Sequence, residues 1–182
     1  RDLPIISSVS CTTQALVPLI DTLDRAFGVE SAMMTEIHAV TADQTVLDQA
    51  HRDLRRARAS GYNIIPTTSS SIAATERVLP NMVGKINGHS IRVPTIDVAA
   101  IDVTFVFETP NISIDAIRDV LKSASQAHLA TIMDYTEEPL VSSDFIHQPE
   151  SLIIDGQQLM QVGNKYKVFA WYDNEWGYAN RM

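Results

Sequence analysis

The run VAAIDVTFVFET, residues 98–109, places Ile101, Val103, Phe105 and Phe107 at every second position. Side chains on a strand point alternately to opposite faces, so this spacing predicts a long strand with one face pressed against a core. A second extended run, HSIRVPT at 89–95, precedes it, and the two are expected to pair as antiparallel neighbours. Helical signals flank them. After Ser10, Leu16, Ile20, Leu23 and Phe27 recur at helical spacing until Gly28, with Pro18 predicting a local kink. Ser69-Ser70-Ser71 is an N-cap cluster for IAATERVL, which ends before Pro80, and Ser113 and Asp115 open a helix with Ile117, Leu121 and Ala124 on one face.

Shorter strands are expected at 5–9, 32–41, near 139–146, at 151–155 and at 165–172, with turns at Asp155-Gly156 and Gly163-Asn164. The polar stretch from Asp43 to Tyr62 reads as a long loop with some helical turns, and DNEWGYANRM as the start of a helix. There is no internal repeat, low-complexity segment or linker. The expected fold class is a single α+β domain, a mostly antiparallel mixed sheet with helices packed on one face.

The formal net charge of −8 argues against a general nucleic-acid binder, because phosphate backbones require a positive contact surface. No apolar run approaches the roughly 20 residues of a membrane-spanning helix. Arg1 to Ile6 lack the pattern of a signal peptide, so a cytoplasmic location is expected. No G-x-G-x-x-G follows a strand, so no dinucleotide-binding unit is expected within the chain.

A single cysteine excludes an internal disulfide and any multi-cysteine zinc site. Cys11 is then either an inert buried residue or a reactive thiol. Its place at the start of a predicted helix favours the second reading, since unpaired amides and the helix dipole stabilise a thiolate and are expected to lower its pKa. His38, on the next strand, is a candidate base for it. The alternative for such a histidine is a hydrogen-bonded structural role, and a Cys–His pair also suits a hydrolase.

The blocks SCTT, IHAVTADQ, NIIP, IRVPT and YDNEWGYANR occur here in an order that resembles the glyceraldehyde-3-phosphate and erythrose-4-phosphate dehydrogenases, from Ile5 to Met182. The resemblance is to that family's catalytic domain. It implies that residues 1–182 are the catalytic domain, with the NAD-binding Rossmann domain and the terminal helix outside this chain. It implies an NAD-dependent oxidation of a phosphorylated aldehyde, with Cys11 as nucleophile forming a thiohemiacetal and then a thioester, and His38 as base. Ser10 and Thr12 would help to bind substrate or attacking phosphate, Arg92 and Thr41 the substrate phosphate, and Ser69 and Ser70 a second anion. Arg56 would bind substrate, and Asn174 and Tyr178 would lie at the nicotinamide. The implied cofactor is NAD with no metal. The implied partners are the aldehyde, inorganic phosphate or water, and further copies of the chain in a tetramer, with no nucleic acid and no membrane.

Asp43-Gln44, LRRAR and DYTEEPLVSSDFIHQP lean toward the erythrose-4-phosphate branch, and with it toward pyridoxal phosphate biosynthesis. Asp43 stands where the glycolytic branch carries a phosphate-binding threonine, and a carboxylate there is expected to repel a nearby phosphate. Ser8-Val9, Gln14, Gly61-Tyr62 and Ser69-Ser70 depart from the family's pattern. A glycolytic glyceraldehyde-3-phosphate dehydrogenase and a non-catalytic interaction protein on the same fold are the alternatives.

Overall fold

Helix α1 (Cys11–Phe27) and strand β1 (Val29–His38) form the frame of the computed structural model, which describes residues 6–182. Ser10 has extended backbone and its hydroxyl accepts from the Thr13 N–H at 3.1 Å, which satisfies one of the unpaired amides of the first turn. Gly28 ends the helix at φ +67°, donating its N–H to the Asp24 carbonyl at 2.8 Å. α1 runs on through Pro18 and buries Leu16, Leu19, Ile20 and Leu23 completely. Each such side chain contributes roughly 1.5–3 kcal/mol on burial.

The remaining elements are β2 (Ile65–Thr67), α2 (Ser71–Val78), β3 (Ile86–Arg92), β4 (Ala99–Phe107), α3 (Ile114–Gln126), β5 (Met133–Thr136), β6 (Leu152–Asp155), β7 (Met160–Val162), β8 (Lys165–Tyr172) and α4 (Trp176–Ala179). They build one mixed sheet in the order β2-β3-β1-β4-β8-β6-β5, with β7 added to β8. Antiparallel pairings dominate, and β1–β3 and β5–β6 are the parallel ones. On β4, Ile101, Val103, Phe105 and Phe107 all point into the core, where the rings of Phe105 and Phe107 stack with centroids 5.5 Å apart. Asp102 and Thr104 alternate to the other, half-exposed face, where Asp102 pairs with Lys167 at 2.8 Å. The α+β fold class follows the alternation. Among the described residues no helix is long and apolar enough to cross a membrane.

Four expectations are corrected. β3 and β4 are not neighbours, because β1 lies between them, parallel to β3 and antiparallel to β4. The connection from β3 to β4 instead hydrogen-bonds the end of β1, with Val93 N–H donating to the His38 carbonyl and Val40 N–H to that of Thr95. The strand expected near 139–146 is replaced by a 3-10 turn, Ser142–Phe145, in which the Asp144 carboxylate accepts from the Val141 N–H, and the strand itself lies earlier as β5. The strand expected at 5–9 begins outside the described residues, and within them 6–9 are irregular, since Val9 takes a left-handed φ of +56° and donates to the Ser7 hydroxyl. β1 also stops at His38 rather than Thr41, because the Thr41 N–H and hydroxyl both donate to the Gln44 side chain, which turns the chain.

Candidate active site

Cys11 is the first residue of α1, and His38 is the last of β1. Their side chains meet: Cys11 Sγ lies 3.4 Å from His38 Nε2. His38 Nδ1 lies 2.7 Å from the Ala39 carbonyl oxygen and 3.0 Å from Arg92 Nη1; in the tautomer in which Nδ1 carries the proton and donates to the carbonyl, Nε2 is the acceptor facing the thiol. The parallel register of β1 with β3 sets Arg92 beside His38, and its Nη1 donates to the same carbonyl at 3.3 Å.

Burial governs the electrostatics. It pushes the Cys11 thiol up to about 11, reinforced by the Glu36 carboxylate and opposed by hydrogen bonding to Thr12 and by Arg92. Burial and the Arg92 cation lower the His38 pKa, against the Ala39 carbonyl and Glu36, which raise it. Both shifts favour the neutral thiol beside a neutral imidazole. The direction is opposite to the expected lowering of the thiol pKa: at this partly enclosed position desolvation is the largest influence, and it raises the thiol.

Behind the pair runs a chain of hydroxyls. The Thr12 hydroxyl donates to Glu36 Oε1 at 2.9 Å and accepts from the Tyr172 hydroxyl at 2.8 Å, and the Ser69 hydroxyl donates to Glu36 Oε2 at 2.5 Å. Glu36 Oε1 is 3.8 Å from His38 Nε2, and the Glu36 side chain is only 4% exposed. Cys11, Thr12, Glu36, His38 and Ser69 line a cleft of about 290 Å³ that also reaches Thr41, Arg56, Ser70, Arg92 and Asn174, with Tyr172 buried behind it.

The same stretch of chain carries a family likeness. Residues 10–174 match the family described as glyceraldehyde 3-phosphate dehydrogenase, C-terminal domain. The chain belongs to this glyceraldehyde 3-phosphate dehydrogenase C-terminal domain family. It is 44% identical over 179 residues to glyceraldehyde-3-phosphate dehydrogenase 2 of Bacillus subtilis (strain 168), an alignment covering 98% of this chain and 52% of that protein. The chain thus spans about half the length of this curated relative.

Within this member of the dehydrogenase-domain family, the cleft gathers Ser10, Cys11, Thr12, His38, Thr41, Arg56, Ser69, Ser70, Arg92 and Asn174, and leaves Tyr178 out. Tyr178 sits half-buried on α4, away from the lining. Asp43 is also absent from the lining. Its carboxylate is held by Arg56 and lies 3.4 Å from His51, so the expected repulsion of a phosphate in the cleft is not carried by a free charge. Arg56 reaches the cleft with its charge shared between Asp43 and Asp53 and with Nη2 donating to the Thr68 carbonyl at 3.3 Å.

Glu36 and Tyr172 were not singled out by the sequence reading. For Glu36 a signal existed, because Met34, Glu36 and His38 alternate onto one face of β1, and a carboxylate two residues before a catalytic-type histidine must share its pocket. Tyr172 gave no such signal. It ends a regular strand and is distinguished only by the Thr12 hydroxyl that it meets.

Proposed function

We propose that this chain is the catalytic half of an NAD-dependent dehydrogenase that oxidises a phosphorylated sugar aldehyde, with D-erythrose 4-phosphate as the favoured substrate. The reading rests above all on the 3.4 Å approach of Cys11 Sγ to His38 Nε2 at the mouth of a helix. As sulfur bonds to the aldehyde carbon, the thiol proton passes to Nε2, and the oxygen becomes the alkoxide of a thiohemiacetal. A neutral pair suits this order of events, since His38 has an empty acceptor facing the proton it takes. His38, protonated by that step, then donates to the developing oxyanion.

Arg92 serves the substrate phosphate. Its Nε is buried without a hydrogen-bond partner and its guanidinium lines the cleft, which suits bidentate binding of an oxyanion. Asn174 fits a nicotinamide: its Oδ1 is buried without a partner at the cleft wall, and a primary carboxamide supplies the N–H donors it lacks. Nicotinamide supplies a hydride acceptor when bound. This chain's own residues hold the aldehyde carbon on sulfur and move the proton at Nε2. The dinucleotide-binding half lies, in this proposal, outside these residues.

Erythrose 4-phosphate is favoured by the LRRAR and DYTEEPLVSSDFIHQP blocks and by the presence of Arg56 in the cleft wall. Glyceraldehyde 3-phosphate is the second reading, favoured by the name of the 44% identical relative. NADH formation by the full-length polypeptide with each aldehyde tests both. A higher kcat/KM for erythrose 4-phosphate is the expected result, the reverse preference selects the second reading, and no NADH with either substrate sinks the proposal.

A further inference from the structure

His38 stands between two opposite charges. Arg92 Nη1 is 3.0 Å from its Nδ1, and Glu36 Oε1 is 3.8 Å from its Nε2. The two charges are held differently. Glu36 accepts from the Thr12 and Ser69 hydroxyls at 2.9 and 2.5 Å, which fix it. Arg92 is open to a ligand: its Nη1 donates to the neutral Ala39 carbonyl at 3.3 Å, its Nε is buried without a partner, and the residue lines the cleft. The other titratable neighbours of the imidazole are Cys11, with Sγ 3.4 Å from Nε2, and Tyr172, whose ring meets it edge-on with centroids 6.2 Å apart. Arg56 and Glu175 complete the charged lining.

We infer that the phosphate of a bound substrate activates the base: by neutralising Arg92 it leaves Glu36 as the dominant charge at His38, so that the imidazole takes the Cys11 proton more readily once the aldehyde is in place. The inference rests on the dehydrogenase reading above and adds a coupling to it. Without ligand, burial and the cation at Nδ1 both disfavour a positive imidazole. With an oxyanion on the guanidinium the repulsion is cancelled at its source, whereas the attraction of Glu36 is unchanged. As sulfur then bonds to the carbonyl carbon, the thiol proton moves to Nε2 and the carbonyl oxygen becomes the alkoxide. The imidazolium so formed lies between a neutralised arginine and a carboxylate. Binding energy from the remote phosphate is in this way used at the reacting centre. An aldehyde without phosphate therefore loses kcat as well as affinity.

The coupling is read without turnover in this chain, by NMR titration of the His38 ring protons with added glycerol phosphate, a phosphomonoester that has no aldehyde. The ester is expected to raise the proton affinity of His38 by about tenfold or more in the wild type, the range for one neighbouring charge. In Arg92→Met the affinity is expected to start high and stay there. In Glu36→Gln it is expected to lie below the wild type both with and without the ester. A His38 titration that the ester leaves in place in the wild type, or moves as far in Arg92→Met, overturns the inference, and so does a titration unchanged by Glu36→Gln. Kinetics of the full-length protein give a second measurement. NADH formation from erythrose, which lacks the phosphate, is expected to gain at least about threefold in kcat when phosphite supplies the dianion separately, since part of the added basicity reaches the transition state. No gain, or the same gain in Arg92→Met, overturns the inference. A full-length protein that oxidises no aldehyde sinks the dehydrogenase reading alone, because the titration in this chain still decides whether an anion at Arg92 tunes His38.

Discussion

Arg92 Nη1 lies 3.0 Å from His38 Nδ1, and the two residues are partners in the parallel register of β1 and β3. A fixed cation next to an imidazole disfavours a second positive charge there, so the strand register itself helps to hold His38 neutral. The sheet thus does chemical as well as structural service: the residue proposed to bind a substrate phosphate also holds the imidazole neutral.

Replacing Arg92 with methionine keeps much of the buried stem and removes the charge. The His38 titration, followed by NMR of its ring protons, is expected to move upward, because the cation is the second-largest cause lowering it. In the full-length protein the same variant is expected to raise KM for a phosphorylated aldehyde by roughly 10–100-fold, the loss of a charge-assisted contact of about 1.5–3 kcal/mol. An unmoved His38 titration contradicts the electrostatic role, whatever happens to KM.

Much of this arrangement was legible in the residues. The β4 alternation gave the face of the core, Ser10 and Gly28 gave both ends of α1, and the Gly163-Asn164 turn fell just before β8, although β7, the strand it joins to β8, was not expected. What failed was partner choice. Alternation says that a segment is a strand but not beside which other strand it lies, so HSIRVPT and VAAIDVTFVFET looked like neighbours although β1 separates them. The thiol pKa failed for a similar reason. The helix start is a local signal, whereas the enclosure of Cys11 by β1 and the Glu36 carboxylate arises only once distant segments pack.

The proton path assigns separate roles to the two central residues. Cys11→Ser is expected to abolish NADH formation by the full-length protein while leaving the melting temperature of this chain nearly unchanged. His38→Asn is expected to lower kcat by about 10²–10⁴-fold, the usual worth of a general base. A His38→Asn protein with unaltered kcat means that the imidazole 3.4 Å from sulfur does not take its proton.

Gly88 links the backbone to the same site. A Cβ built there lies 2.3 Å from the Met34 carbonyl oxygen across the β1–β3 pairing, and a main-chain atom in a central strand cannot step aside. Gly88→Ala is therefore expected to cost about 1–3 kcal/mol through overpacking, or a fall in melting temperature of roughly 2–12 °C for a domain of this size. Because the clash presses on the pairing that aligns His38 with Arg92, the His38 titration is expected to shift as well. Gly84→Ala is the control for a glycine with open space around it, although its φ of +75° makes some strain intrinsic.

Alkaline pH offers the last test, and its sign follows from the thiol. Cys11 holds its proton up to about 11 in the folded chain, against roughly 8.5 for an unperturbed cysteine. Between those values the unfolded chain has already lost the proton that the folded chain keeps, so the folded state binds more protons and stability falls as pH rises. Below about 8.5 this contribution is constant. Above about 11 it is fully lost, and the total is at most roughly 3–3.5 kcal/mol. Urea unfolding of the wild type between these limits is expected to weaken more steeply than that of Cys11→Ser, which lacks the titrating group. The alkylation rate of Cys11 is expected to climb across the same interval and to be slower at neutral pH than that of an exposed cysteine. Parallel stability curves for the two proteins, or a thiol that reacts fully by neutral pH, mean that the sulfur ionises more readily than its burial dictates, and that the resting pair is an ion pair rather than a neutral one.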